Sequence, residues 1–236
     1  MQLHLQMYPF IVHGGKMYLY HGSKFIIKKP VYHAGKPYND YGYGFYCTEN
    51  ADVAAEWSVT PEHNGYVNKY EIDEQKMSIL DLSGYTVMAW LAILLENRTF
   101  EENTALAREA KRYILKEFLV EYESYDLIKG YRADDSYFSF AQDFLNGRIS
   151  YEQLSKAMKL GKLGQQVVIK SSTAFEKIRW IDASEAKREN WLAQKEERDR
   201  SARIDYSRLR MEHYQKGSLY VTKFLDEEIT KDDARL

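Results

Sequence analysis

Residues 39–57 read NDYGYGFYCTENADVAAEW, and the parsing of this stretch decides what the rest of the chain builds. Gly42 and Gly44 flank a single tyrosine, and two residues without a Cβ let separate backbone segments approach closely. The run after them is strand-like, so Tyr46 must point to one face of a sheet. Asn50 then reads as the N-cap of a short helix over 50–58, with acidic Asp52 in its first turn. Trp57, eleven residues after Tyr46, closes that helix where it can fold back over the same face. Two aromatic faces with a gap between them hold a flat ring.

Upstream, KMYLYHGS at 16–23 is an apolar, aromatic strand that ends by presenting an imidazole (His21), a bare backbone (Gly22) and a hydroxyl (Ser23). A turn alone needs only the glycine. The segment 28–42 between the two strands is punctuated by Pro and Gly. Downstream, GYVNKYEID (65–73) and MSILDL (77–82) read as strands, 86–97 and 104–121 as helices, and YDLIKG (125–130) as a strand running into YRADDSYF. Leu106, Ala110, Ile114 and Phe118 fall on one face of the second helix. Ser150 caps a helix over 150–158, and QQVVIKS (165–171) and KIRWIDA (177–183) are the last strands. Strands and helices interleave without the regular alternation of a doubly wound sheet, so the fold class is α+β.

Three parts are expected: an extension at 1–16, a domain at 17–183 and a charged helical extension at 184–236. The last is dense in both signs of charge and thinly apolar, which describes a solvated helix.

The 236 residues are 44% hydrophobic and 29% charged, a soluble globular composition able to bury a core. A net charge of −2 gives no global reason to expect nucleic acid or membrane. Cys47 is the single cysteine, so no intramolecular disulfide forms and thiolate zinc sites are excluded, which suits a reducing cytoplasm. The start lacks the basic segment of a signal peptide. The longest apolar run, TVMAWLAILL at 86–95, falls short of the roughly 20 residues that span a bilayer and reads as a core helix. His4, His13, His33, His63 and His213 show no metal spacing, and no metal is expected.

His21, Gly22 and Ser23, followed by Gly42, Gly44, Phe45 and Tyr46 and then Trp57, resemble the ADP-ribosyltransferase superfamily, in its diphtheria-toxin-like branch that includes the poly-ADP-ribose polymerases. Within it, Met17 to about Ala183 looks most like the bacterial domain-of-unknown-function family 3990. The resemblance implies a split antiparallel sheet core with inserted helices, and NAD as substrate. Tyr46 and Trp57 would stack on the nicotinamide cation, each contact worth about 0.5–2 kcal/mol. Gly22 would hold the carboxamide, His21 a ribose hydroxyl, and Ser23 a nearby polar group.

One position departs from the pattern. Where the family pattern has a late-strand carboxylate, this chain has Gln166, which neither carries charge nor accepts a proton. General-base help is typically worth about 10²- to 10⁴-fold, so Asp134 or Asp135, following the strand at 125–130, is expected to substitute. Either reads equally as a helix cap, and Tyr46 and Trp57 as ordinary core rings. Two functions follow: a mono-ADP-ribosyltransferase acting on a macromolecular acceptor, protein or nucleic acid, or a module that binds NAD or ADP-ribose without turnover. Relatives of this kind often look like toxins with a neutralising protein partner, for which the charged C-terminal helix is a docking candidate. No membrane partner is expected.

Overall fold

The computed structural model describes residues 15–133, 135–160, 165–212 and 215–236. Seven strands form one mixed sheet: β1 (Lys16–Ser23), β2 (Phe45–Thr48), β3 (Gly65–Asp73), β4 (Ile79–Asp81), β5 (Leu127–Tyr131), β6 (Gln165–Ile169) and β7 (Arg179–Ala186), in the order β4-β5-β6-β2-β1-β3-β7. Among the described residues there are eight α-helices: α1 (Ala51–Ser58), α2 (Val87–Asn97), α3 (Ala105–Phe118), α4 (Asp135–Leu145), α5 (Tyr151–Ala157), α6 (Ser172–Lys177), α7 (Arg188–Arg210) and α8 (Val221–Asp226). The class is α+β. The sheet is not wholly antiparallel as expected, because β4 and β5 run parallel. A parallel neighbour needs a long crossover, and α2 and α3 occupy the chain between them.

The local signals act as their chemistry requires. Asn50 accepts from the N–H groups of Asp52 and Val53, and Ser150 and Gln153 form a reciprocal capping box, each cap worth about 1 kcal/mol. In α2, Val87 to Leu95 are all buried, which makes the long apolar run a core helix. On α3, Ala110, Ile114 and Phe118 are buried as the spacing predicts, joined by Ala107. These helices and α4, α5 and α8 pack on one face of the sheet in the largest apolar cluster. A second cluster, with Leu19, Cys47, Tyr70 and Phe175, covers the other face beneath α6.

The feature that positions the site is a parting within the sheet. β1 pairs with β3 from Lys16↔Asp73 to Ser23↔Tyr66, and β2 with β6 from Phe45↔Ile169 to Thr48↔Gln166. Between β1 and β2 the register holds a single pair, Tyr20↔Thr48. The sheet is therefore two blocks joined at one point and splayed beyond it. His21, Gly22 and Ser23 are the last residues of β1, as expected, and on their β2 side they border the parting.

Candidate functional site

A cleft of about 990 Å³ opens at the parting. Its walls come from β1, the 24–44 segment, β2, α1, residues 132–133 after β5, Gln166 of β6 and α7. His21 fills the splay: its Nδ1 lies 2.7 Å from the carbonyl oxygen of Tyr46, and its ring leans on Phe45 with centroids 4.3 Å apart. A carbonyl only accepts, so Nδ1 carries the proton and Nε2 is left as an acceptor. Burial lowers the His21 pKa, opposed by that hydrogen bond, so the ring is neutral at neutral pH.

Tyr46 is held at its carbonyl by His21 and at its hydroxyl by the turn before it. Its hydroxyl donates to the Gly42 carbonyl (2.7 Å) and accepts from the Tyr41 N–H (3.0 Å), tying strand β2 to the Gly42 turn, where φ is +70°. Burial foremost, with the charge of Asp40 adding to it, pushes the phenol far above its usual range. Tyr46 thus offers a ring surface and no proton chemistry. Trp57 also lines the cleft, and the Arg132 guanidinium stands over its ring at 4.4 Å. A planar cation already rests on that indole, in the geometry of a cation–π contact.

Gly22 lines the cleft, and its bare backbone meets a packing demand as well. A Cβ there would lie 1.9 Å from the Ala54 carbonyl oxygen. The missing side chain makes room for the backbone of α1, and so seats the helix that carries Trp57. Ser23 is not among the cleft residues; its hydroxyl is engaged with the backbone of Phe25 and starts the turn out of β1.

Gln166 is buried in the interior of the sheet, and its amide donates to Asp40 Oδ2 (3.0 Å) and to the Tyr131 carbonyl (3.0 Å). Asp40 is the carboxylate that sequence reasoning missed. Its Oδ1 accepts from Arg98 Nη1 (2.8 Å), and its Oδ2 also accepts from the Ala133 N–H (2.8 Å). Asp40, Arg98 and Gln166 all line the cleft. Gln166 is uncharged, and the carboxylate of Asp40, from the segment between β1 and β2, lies one hydrogen bond from it. Asp40 lies two residues before Gly42, but its 126-residue separation from Gln166 hides the pairing. Asp134 lies outside the described residues, and Asp135 opens α4 with its side chain outside the description.

The remaining wall overturns the picture of a merely solvated C-terminal helix. Most of α7 does face solvent, yet Ala202, Tyr206 and Leu209 are buried, and Leu192, Lys195 and Arg198 line the cleft. Buried Glu56 of α1 pairs with Arg198, and Lys195 Nζ donates to the Val59 carbonyl (3.1 Å). The last sheet strand also runs three residues past the expected end, to Ala186. Two buried donors on cleft residues, Trp57 Nε1 and Arg198 Nη1, meet no acceptor among the described residues. Cys47 is fully buried, and burial raises its thiol pKa, so it is no nucleophile. Among the described residues no cluster of metal-binding side chains occurs, and no helix is long and apolar enough to cross a membrane.

The model of a family described as "Protein of unknown function (DUF3990)" matches residues 17–180, and the chain belongs to that family. The match ends within β7 and leaves α7, a wall of the cleft, outside it. Neither the curated proteins nor the solved structures gave a match.

Proposed function

We propose that the chain is an NAD-dependent ADP-ribosyltransferase. The observation that carries this reading is the cleft at the parting of β1 and β2, with His21, Tyr46 and Trp57 on its walls. Neutral His21 offers Nε2 to a ribose hydroxyl. The nicotinamide ring lies between the Tyr46 and Trp57 side chains, displacing the Arg132 guanidinium from the indole face. The dinucleotide phosphates supply the acceptors that Trp57 Nε1 and Arg198 Nη1 lack; a buried unpaired donor costs about 1–3 kcal/mol. Breaking the nicotinamide–ribose C–N bond sends the electron pair to the leaving ring and builds positive charge on the ribose, as in glycoside cleavage. Asp40, held by Arg98, Gln166 and the Ala133 N–H, stabilises that charge. An acceptor nucleophile then bonds to the anomeric carbon and loses its proton.

The amide at Gln166 favours a second reading, a module that binds NAD without cleaving it. Nicotinamide release from NAD by the purified chain separates the two. We expect release, reduced about 10²- to 10³-fold in Asp40→Asn, a loss on the scale of removing one preorganised electrostatic contact, and reduced in His21→Ala through weaker binding. Retained NAD binding without release in the wild-type chain would establish the module instead.

A further inference from the structure

The outer side of the segment that forms one bank of the cleft has a chemistry that nucleotide binding inside the cleft does not use. From residue 24 to residue 38 it contains Lys24, Lys28, Lys29 and Lys36 and no acidic residue. All four lysines are exposed, and none pairs with a carboxylate among the described residues. In a chain of net charge −2, this is a local excess of positive charge. Aromatic rings alternate with it: Phe25 is 67% exposed, Tyr38 59% and Tyr32 44%. Tyr32, His33 and Tyr43 form a stepped stack, with centroids 4.0 and 4.8 Å apart, and His33 holds a left-handed backbone (φ 59°) within it.

The segment has no regular secondary structure, yet it is pinned to the sheet. Asn68 of β3 accepts from the Ile27 N–H (2.8 Å) and donates to the Phe25 carbonyl (3.1 Å), and Tyr70 donates to the Ile27 carbonyl. Lys170 fixes its far end through the Tyr41 carbonyl (2.7 Å). Exposed rings and cations are therefore presented on a fixed bank, beside a cleft into which Lys29 and Val31 of the same segment project.

We infer that this bank binds a single-stranded polynucleotide and presents it to the cleft as the acceptor. The lysines have no carboxylate partner and match the phosphate backbone. Three of them rest over rings, Lys24 over Phe25 (6.0 Å), Lys28 over Trp180 (5.3 Å) and Lys36 over Tyr38 (5.7 Å). A base that stacks on Phe25 or Tyr38 takes the place of the ammonium as its phosphate draws the lysine away. An acidic peptide would satisfy the lysines but leave the rings exposed, and a duplex keeps its base faces covered. The acceptor role rests on the transferase reading; the binding does not.

The test is fluorescence anisotropy of labelled oligothymidylate and oligouridylate with the full chain, without NAD. Three phosphate contacts, from Lys24, Lys28 and Lys36, at about 0.7 each predict a slope of log affinity against log salt of about −2. Lys24→Ala/Lys28→Ala/Lys36→Ala should flatten that slope by about 2, and Tyr38→Ala should weaken binding by about 5- to 150-fold, the effect of one stacked base. These positions are exposed, and thermal melting checks that the variants stay folded. The stronger of the two probes identifies DNA or RNA as the source. Absence of saturable binding at low salt, equal binding of a duplex or of polyglutamate, or an unchanged slope in the triple variant each overturns the inference. Because no NAD is present, a failed nicotinamide assay leaves this result standing, and the reverse holds. Label transferred from NAD to the bound oligonucleotide supports the acceptor role, and binding without transfer overturns that role.

Discussion

His21 is a single side chain on which three requirements converge. It bridges the splayed strands through the Tyr46 carbonyl, leans on Phe45, and leaves one nitrogen for a guest. Its pKa is lowered, first by burial, from an ordinary value of 6.5. Above that value the ring is neutral in both the folded and the unfolded chain. Below it the unfolded chain takes up the proton first, so stability falls as pH drops through 6.5 towards the lower folded value. Melting temperatures measured from about pH 7.5 to about pH 5 should decline for the wild type and decline less steeply for His21→Asn. Parallel slopes would show that the burial of this ring is not felt. Asp40 teaches a complementary lesson. Three donors, from Arg98, Ala133 and Gln166, reach it from sequence-distant elements, so no local pattern marks it as special.

The short helix α1 is where local signal and tertiary demand meet. Its cap, its first-turn acid and its apolar Val53, Ala54 and Ala55 are all readable from adjacent residues. What seats it is Gly22, one strand away. An alanine Cβ at that position would strike the Ala54 carbonyl at 1.9 Å, a backbone contact that no rotamer relieves. Gly22→Ala is therefore expected to cost at least the upper end of the overpacking range, about 3 kcal/mol. In a chain of this size that lowers the melting temperature by about 6–12 °C, and it should also displace Trp57 and weaken NAD binding. A variant that melts like the wild type would show that α1 does not rest on β1 as described. The strand boundaries differed for a similar reason. β7 is held to Ala186 by its ladder with β3, ending at Gly65↔Ala186, while the charged residues from Ser184 onward look like the start of a solvated helix.

At the scale of the molecule, α7 closes what the sheet opens. It packs on α1 through Glu56 and Arg198, whose side chains are 4% and 22% exposed. Breaking a fully buried pair costs about 3–5 kcal/mol, and the solvent access of Arg198 reduces that to about 2. Glu56→Gln should then lower the melting temperature by about 4–8 °C, as scanning calorimetry would register, and loosen the wall that carries Lys195 and Arg198. An unchanged melting curve would mean that α7 is held by Ala202, Tyr206 and Leu209 alone. The sequence by itself determined what depends on neighbours along the chain: the strands and helices that make the class α+β, the caps at Asn50 and Ser150, and the core run of α2. Each follows from periodicity, or from a motif a few residues long. Only the tertiary structure decided the parallel pairing of β4 with β5, the Asp40–Gln166 contact, the role of Gly22 as a seat for α1, and α7 as a wall of the cleft. These are contacts between segments tens to more than a hundred residues apart, fixed by which surfaces pack together once the chain has collapsed, and a local reading of residue types carries no record of them.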